Sequence, residues 1–179
     1  MLIREHLITW DHAVIHSVNR INRRFVGRIF AIISRLGDGS FWFAVMIAIP
    51  LCYGTAAIPL SVLMVICGII ATIIYKIIKQ STHRIRPCHD KPNLILTVAP
   101  LDRFSFPSGH TLHAVCFTWI TCAAIPSWSW FLVPFCILVG LSRMVLGLHY
   151  FSDVFVGACI GCVIGILGTF AGNSLGINF

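Results

Sequence analysis

Residues 41–75 read FWFAVMIAIPLCYGTAAIPLSVLMVICGIIATIIY, with no Asp, Glu, Lys or Arg anywhere in the stretch. A helix needs about 20 apolar residues to cross a bilayer, so this stretch is long enough to cross twice. Gly54 to Pro59 fall near its middle, where a hairpin turn belongs. Two further stretches are equally free of those charges: Phe104 to Ser142, broken at Pro126-Ser127-Trp128-Ser129, and Val154 to Phe179. Trp128 and Trp130 at the second break suit a membrane interface. The chain is therefore expected to be all-α, a polytopic transmembrane helix bundle of about five spans near residues 41–55, 58–78, 109–125, 129–147 and 153–172.

Composition agrees along the whole chain. Of 179 residues, 58% are hydrophobic and 11% charged, and the mean hydropathy is +0.90. These values lie outside the range of a soluble domain. The eight cysteines include Cys52, Cys67, Cys116, Cys122, Cys136, Cys159 and Cys162, all in or beside proposed spans, where they read as small apolar packing residues. Cys159 and Cys162 form a CxxC without the context of a redox fold. Cys88 is the one thiol near charged motifs. Gly157, Gly161 and Gly165, with Gly168 and Gly172 beyond, would let a neighbouring helix approach the last span closely.

Before the first span, Val14, Val18, Ile21, Phe25, Ile29, Ile32 and Leu36 recur at steps of three and four. His16, Asn19, Arg20, Arg23, Arg24 and Arg28 crowd the opposite side. This predicts an N-terminal amphipathic helix lying at the membrane surface, with its polar side outward. No secretory signal pattern precedes it, and no composition shift divides the chain. One domain is expected over 1–179, with an amphipathic region at 1–36 and a transmembrane core at 41–172.

Against this apolar background the remaining polar residues are conspicuous. Lys79 is followed after six residues by Arg86-Pro87. Pro107-Ser108-Gly109-His110 comes next, then Ser142-Arg143, five residues, His149, three residues and Asp153. With five spans, the end of the second, the start of the third, the end of the fourth and the start of the fifth emerge on one membrane face, which gathers all three blocks. Two guanidinium forks and an ammonium match the oxygens of a phosphate monoester or diphosphate. Histidines supply proton transfer or a nucleophile. Singly, each residue has a bland reading: an interfacial histidine, a snorkelling arginine, a helix start. No HxH, HExxH or paired carboxylates appear at metal-ligand spacing, so no metal and no cofactor is expected.

At these spacings the chain resembles the type 2 phosphatidic acid phosphatase family, over about residues 36–172. The resemblance implies a metal-independent phosphatase working through a phosphohistidine. His149 would be the nucleophile, Asp153 its orienting partner and His110 the general acid, with Lys79, Arg86, Ser108, Gly109 and Arg143 holding the phosphate. If the stretch entering the last span is helical, His149 and Asp153 lie at i and i+4 on one face. The unpaired amides at Pro107 to Gly109 would point at the phosphate from a helix start. His113, one turn beyond His110, would be its neighbour in support. The loop from Gln80 to Ser105 would shape the entrance.

The family also includes soluble members, so the expectation of a lipid substrate comes from hydropathy: a head group in the cradle and a tail in the bilayer. Phosphatidic acid, phosphatidylglycerophosphate and undecaprenyl diphosphate are candidates. A lipid phosphotransferase using the same phosphohistidine is the rival, and a non-enzymatic membrane module has no need of the six polar residues together. No nucleic-acid partner is expected, and nothing in the sequence sets an oligomeric state. The small size and short loops point to a bacterial plasma (inner) membrane. All thirteen Lys and Arg fall on the motif-bearing side, which by count is cytoplasmic. The family resemblance instead favours the periplasmic face.

Overall fold

The computed structural model describes residues 2–90, 93–100 and 102–177. Among them the chain forms α1 (Leu2–Asn19), α2 (Arg24–Leu36), α3 (Ser40–Tyr53), α4 (Ile58–Thr82), a short α5 (Pro87–Asp90), α6 (Gly109–Ala124), α7 (Ser129–Val145) and α8 (Phe151–Ser174). The described residues include no β-strand, only an isolated bridge between Ile85 and Phe104. Turns fall where the sequence punctuates. Gly54 closes α3 at a φ of 80°, and Pro59 stands at the start of α4, where a missing N–H costs nothing. Pro126 opens the 3-10 turn that leads into α7.

Helices occupy all five expected positions, as α3, α4, α6, α7 and α8, but they are not five equal spans. Among the described residues, three segments are long and apolar enough to cross a membrane alone: Thr55–Thr82, Pro126–Val145 and Phe151–Ser174. α2 and α3 qualify only as a pair bent by 53°, which makes up to four. α6 has 16 residues, roughly 24 Å at 1.5 Å per residue, against a hydrocarbon core of about 30 Å. Its length is set by its neighbours and not by lipid, because α4, α7 and α8 enclose it. Leu112, Ala114, Cys116, Phe117 and Ile120 of α6 join Met64, Leu132 and Ile164 in the main apolar core.

The most extensive helix–helix contact in the bundle is between α6 and α8. A Cβ on Gly157 would stand 2.6 Å from the Ser108 carbonyl oxygen, and one on Gly161 would meet the Leu112 carbonyl oxygen closer still. The glycine stripe therefore serves packing within the chain. It brings the starts of both helices together at one end. At the other end Tyr53 stacks obliquely on Trp128, with ring centroids 6.1 Å apart.

The N-terminal region departs from the single surface helix expected. It breaks at residues 20–23 into α1 and α2. Asn19, expected on the polar side, turns inward and is buried, as is Asn22. Asn19 Nδ2 donates to the Val145 carbonyl at 2.8 Å, and its Oδ1 accepts from the Ile95 amide at 2.8 Å. Asn22 Nδ2 donates to the Ile95 carbonyl at 2.6 Å. Helix continuity yields here because the two amide side chains satisfy backbone groups that would otherwise lack partners. The apolar stripe of α2 remains outside: Phe25, Ile29, Ile32 and Leu36 are all exposed.

Candidate active site

Each functional side chain is delivered by a helix end. Lys79 belongs to the last turn of α4, which His83 terminates in the left-handed conformation, at a φ of 49°. Arg86 follows the bridge of Ile85 to Phe104 and precedes α5. Both cations are buried, and both grip the carboxylate of Asp102. Lys79 Nζ donates to Oδ2 at 2.6 Å, and Arg86 Nη2 donates to Oδ1 at 2.6 Å. Arg86 Nε also donates to the Asp102 carbonyl at 2.8 Å. Burial by itself would raise the Asp102 carboxyl, but the Lys79 and Arg86 hydrogen bonds and charges outweigh it and hold it below the ordinary carboxylate value. The two cations thus form an anion-binding pair.

His149 stands beyond the end of α7. There Gly147 turns the chain at a φ of 71°, a conformation that favours glycine, and the His149 amide donates back to the Arg143 carbonyl at 3.1 Å. The imidazole is 1% exposed. Its Nε2 lies 3.0 Å from Arg86 Nη1. A guanidinium can only donate, so Nε2 accepts and the ring proton belongs on Nδ1. Nδ1 is buried without a hydrogen-bond partner, 3.6 Å from Asp153 Oδ2. Burial first, then the positive charges of Arg86, Arg143, Lys79 and His110, hold the His149 imidazole well below the ordinary histidine value.

The helical premise for this pair does not hold: α8 begins at Phe151, and His149 precedes it. Proximity arises instead from a cap. Asp153 is the third residue of α8, and its Oδ2 accepts from the backbone N–H of Tyr150 at 2.8 Å. That capping bond aims the same oxygen at His149.

His110 opens α6 and pairs through Nε2 with Asp38 Oδ1, from the Gly37-Asp38-Gly39 turn between α2 and α3. Gly109 and His110 line the cavity described below, whereas Ser108 does not. Ser108 is fully buried as the N-cap of α6, with its Oγ 2.9 Å from Thr111 Oγ1 and its amide donating to the Asp153 carbonyl at 3.0 Å. Arg143 is buried with Nη1 donating to Ser34 Oγ of α2, and its Nε has no partner. His113 turns away from His110. Its Nδ1 lies 2.8 Å from the Gly109 carbonyl, and its Nε2 lies 3.1 Å from Thr72 Oγ1. Burial raises the Cys88 thiol above its ordinary value, which keeps it in the neutral form.

A cavity of about 680 Å³ opens beside this cluster, and Arg143, His149 and Asp153 lie behind its lining residues rather than among them. Lys79, Arg86, Asp102, Gly109, His110 and Asp38 border it. From there it follows α4 back to Val65 and α3 to Phe43 and Met46. Lys79 to Val65 is about four turns of helix, about 21 Å. Among the described residues, no group of three or more His, Cys, Asp or Glu side chains is placed to hold a metal ion.

Four participants were invisible in the motifs: Asp102, Asp38, Ser34 and Arg84. Arg84 Nη1 donates to Asp153 Oδ1 at 2.8 Å. Position 84, inside the Lys79-to-Arg86 interval, carries a charge that the spacing rule treats as arbitrary. That unexplained charge was the available signal.

Fold and geometry define a multi-pass helical membrane protein with a histidine-bearing anion site at one end of its bundle. The PAP2 superfamily model matches residues 56–173, and the chain belongs to that family. It is similar to phosphatidylglycerophosphatase B of Bacillus subtilis, at 32% identity over 110 residues, covering 50% of this chain and 46% of that one. An undecaprenyl-diphosphatase of Sulfolobus acidocaldarius is 28% identical over 141 residues, covering 78% and 67%. A decaprenylphosphoryl-5-phosphoribose phosphatase of Mycolicibacterium smegmatis is 39% identical over 85 residues, covering 45% and 43%. The chain thus spans just under half the length of the Bacillus and Mycolicibacterium relatives. The fold matches the crystal structure of a transmembrane PAP2-type phosphatidylglycerolphosphate phosphatase from Bacillus subtilis, with a TM-score of 0.79 at 22% identity over 94% of this chain and 87% of that one. It also matches Aquifex aeolicus LpxE, with a TM-score of 0.71 at 22% identity over 87% and 92%.

Proposed function

We propose that this protein is an integral-membrane lipid phosphatase that cleaves a phosphate monoester or diphosphate head group through a phosphohistidine on His149. The cavity carries this reading. Its polar part holds Lys79, Arg86 and His110, and its long wall follows apolar faces of α3 and α4, so a phosphate head and an acyl or isoprenoid tail fit it together. The unpartnered Nε of buried Arg143 is a donor that a phosphate oxygen would satisfy. In the first step His149 Nε2 gives its lone pair to phosphorus, the ester O–P bond breaks, and His110 delivers a proton to the leaving oxygen. In the second, water attacks phosphorus, the N–P bond breaks, and His110 takes the water proton as inorganic phosphate leaves. Asp153 faces the Nδ1 proton across 3.6 Å and stabilises the cation formed on His149. Lys79, Arg86, Arg143 and the Gly109 turn hold the phosphate, while Ser108 contributes by capping α6.

Phosphatidylglycerophosphate, phosphatidic acid and undecaprenyl diphosphate are the substrates we propose, by chemistry and by the names of the relatives. The site is assigned to the periplasmic face of a bacterial plasma membrane. Lys79, Arg86 and Arg143 are buried side chains of the site and do not count as loop charges. Phosphate release in detergent, with EDTA present, tests the proposal. Wild type should turn over at least one of the three lipids, and His149→Ala none. Equal release by both would remove His149 from its role. No release by either would leave transfer to an acceptor lipid as the reaction to assay.

A further inference from the structure

We infer that Arg84, anchored by Asp11 of α1, is a positioning residue that sets the Asp153 carboxylate against His149. This role rests on the assignment of His149 and Asp153 proposed above, and adds two residues to it. Arg84 lies in the loop after α4 and reaches four groups. Nη1 donates to Asp153 Oδ1 at 2.8 Å and to Ser152 Oγ at 2.6 Å, and Nη2 donates to Asp11 Oδ2 at 2.7 Å. Its guanidinium carbon stands 4.3 Å from the centroid of the Tyr150 ring, within cation–π range. Asp11 is 2% exposed and accepts also from the Ser152 amide at 3.0 Å. One guanidinium therefore compensates two buried carboxylates, each of which would be costly to bury alone.

The two oxygens of Asp153 have separate duties. Oδ1 takes the Arg84 bond, while Oδ2 takes the Tyr150 amide and faces His149 Nδ1 at 3.6 Å. Donors on both oxygens fix the plane of the carboxylate, and only in that plane does Oδ2 point at the imidazole. Without Arg84 the group keeps the Tyr150 capping bond and the Ser105 hydroxyl beside it, and loses the charged donor that holds Oδ1. Asp11 matters in a different way. By occupying Nη2 it keeps Arg84 from gripping Asp153 through both nitrogens, an arrangement that would draw Oδ2 away from His149. Asp11 lies outside the 56–173 stretch that the family model matches, so the N-terminal helix reaches into the machinery of the site.

The test uses the full chain in detergent, with kcat and KM measured for phosphate release from one lipid substrate and melting followed in parallel. Arg84→Gln should lower kcat about a hundredfold with KM held within about twofold, and Asp11→Asn should lower kcat about tenfold. Arg84→Lys restores the charge and should recover part of the loss. A mere staple between α1 and α8 would instead lower the melting temperature and leave kcat of the folded protein intact. A folded Arg84→Gln with wild-type kcat, or with its loss confined to KM, overturns the inference. Should Arg84→Gln not purify folded, Asp11→Asn decides: reduced kcat at constant KM supports the role, and unchanged kcat overturns it. Wild type inactive on all three lipids overturns the phosphatase proposal itself, so the two failures are told apart.

Discussion

His149 is the residue on which the proposed chemistry turns, and its surroundings prescribe a pH response. Arg86 donates to Nε2, and burial together with the nearby cations disfavours the imidazolium. Only the neutral ring has a lone pair to give phosphorus. A group whose value is depressed stays neutral as pH falls through the ordinary histidine value of about 6.5, so kcat/KM should hold through that point and decline only at lower pH. An acid limb at the ordinary histidine value would contradict the electrostatics described. At this scale the sequence singled out Lys79, Arg86, His110, Arg143, His149 and Asp153 by their charge and spacing, and the fold brings them to one end of the bundle. The sequence was silent on Asp38, Asp102 and Ser34, whose tasks consist only of what they touch.

The elements turn these residues into a site through two contacts. The first is α6 against α8, where Gly161→Ala would force a Cβ onto the Leu112 carbonyl oxygen. Overpacking of this kind costs about 1–3 kcal/mol, and backbone cannot swing aside as a side chain can. A lower melting temperature in detergent, with activity falling as the ends of α6 and α8 separate, is the expected outcome. The second is the loop residue Asp102, which bonds Lys79 and Arg86 as a phosphate oxygen would. Asp102→Asn removes a competing negative charge. KM for the lipid, and the inhibition constant of inorganic phosphate, should fall severalfold; a rise in both would assign Asp102 to holding the two cations in place. The glycine stripe was legible because small residues repeating every four positions have few other uses in an apolar helix. The loop contact was not, because nothing local marks which carboxylate will fold back on which cation.

For the molecule as a whole, the cavity along α3 and α4 is where the proposed reaction would join head-group chemistry to the bilayer. Val65 borders it about four turns from Lys79. Val65→Trp should therefore reduce kcat/KM for a long-chain lipid about tenfold while leaving a short, water-soluble phosphate ester unaffected, since only the tail reaches that depth. Equal loss on both would mean that the substitution disturbs the phosphate end instead. The fold class and the family were legible in sequence alone. Uncharged stretches longer than a bilayer crossing admit only helices that satisfy their own backbone, and the spacing of three cations, two histidines and a carboxylate pointed to the family whose model matches residues 56–173. Tertiary structure alone decided that α6 is a short, enclosed helix rather than a lipid-matched span, that α1 and α2 part at Asn19 and Asn22, and that Asp153 faces His149 while capping α8 through the Tyr150 amide. It also decided that Arg84 and Asp11 join them. Hydropathy and motif spacing are properties of a chain read in order, whereas helix length inside a bundle, the break of a helix and the partner of a buried charge depend on which distant residues the fold brings within bonding distance.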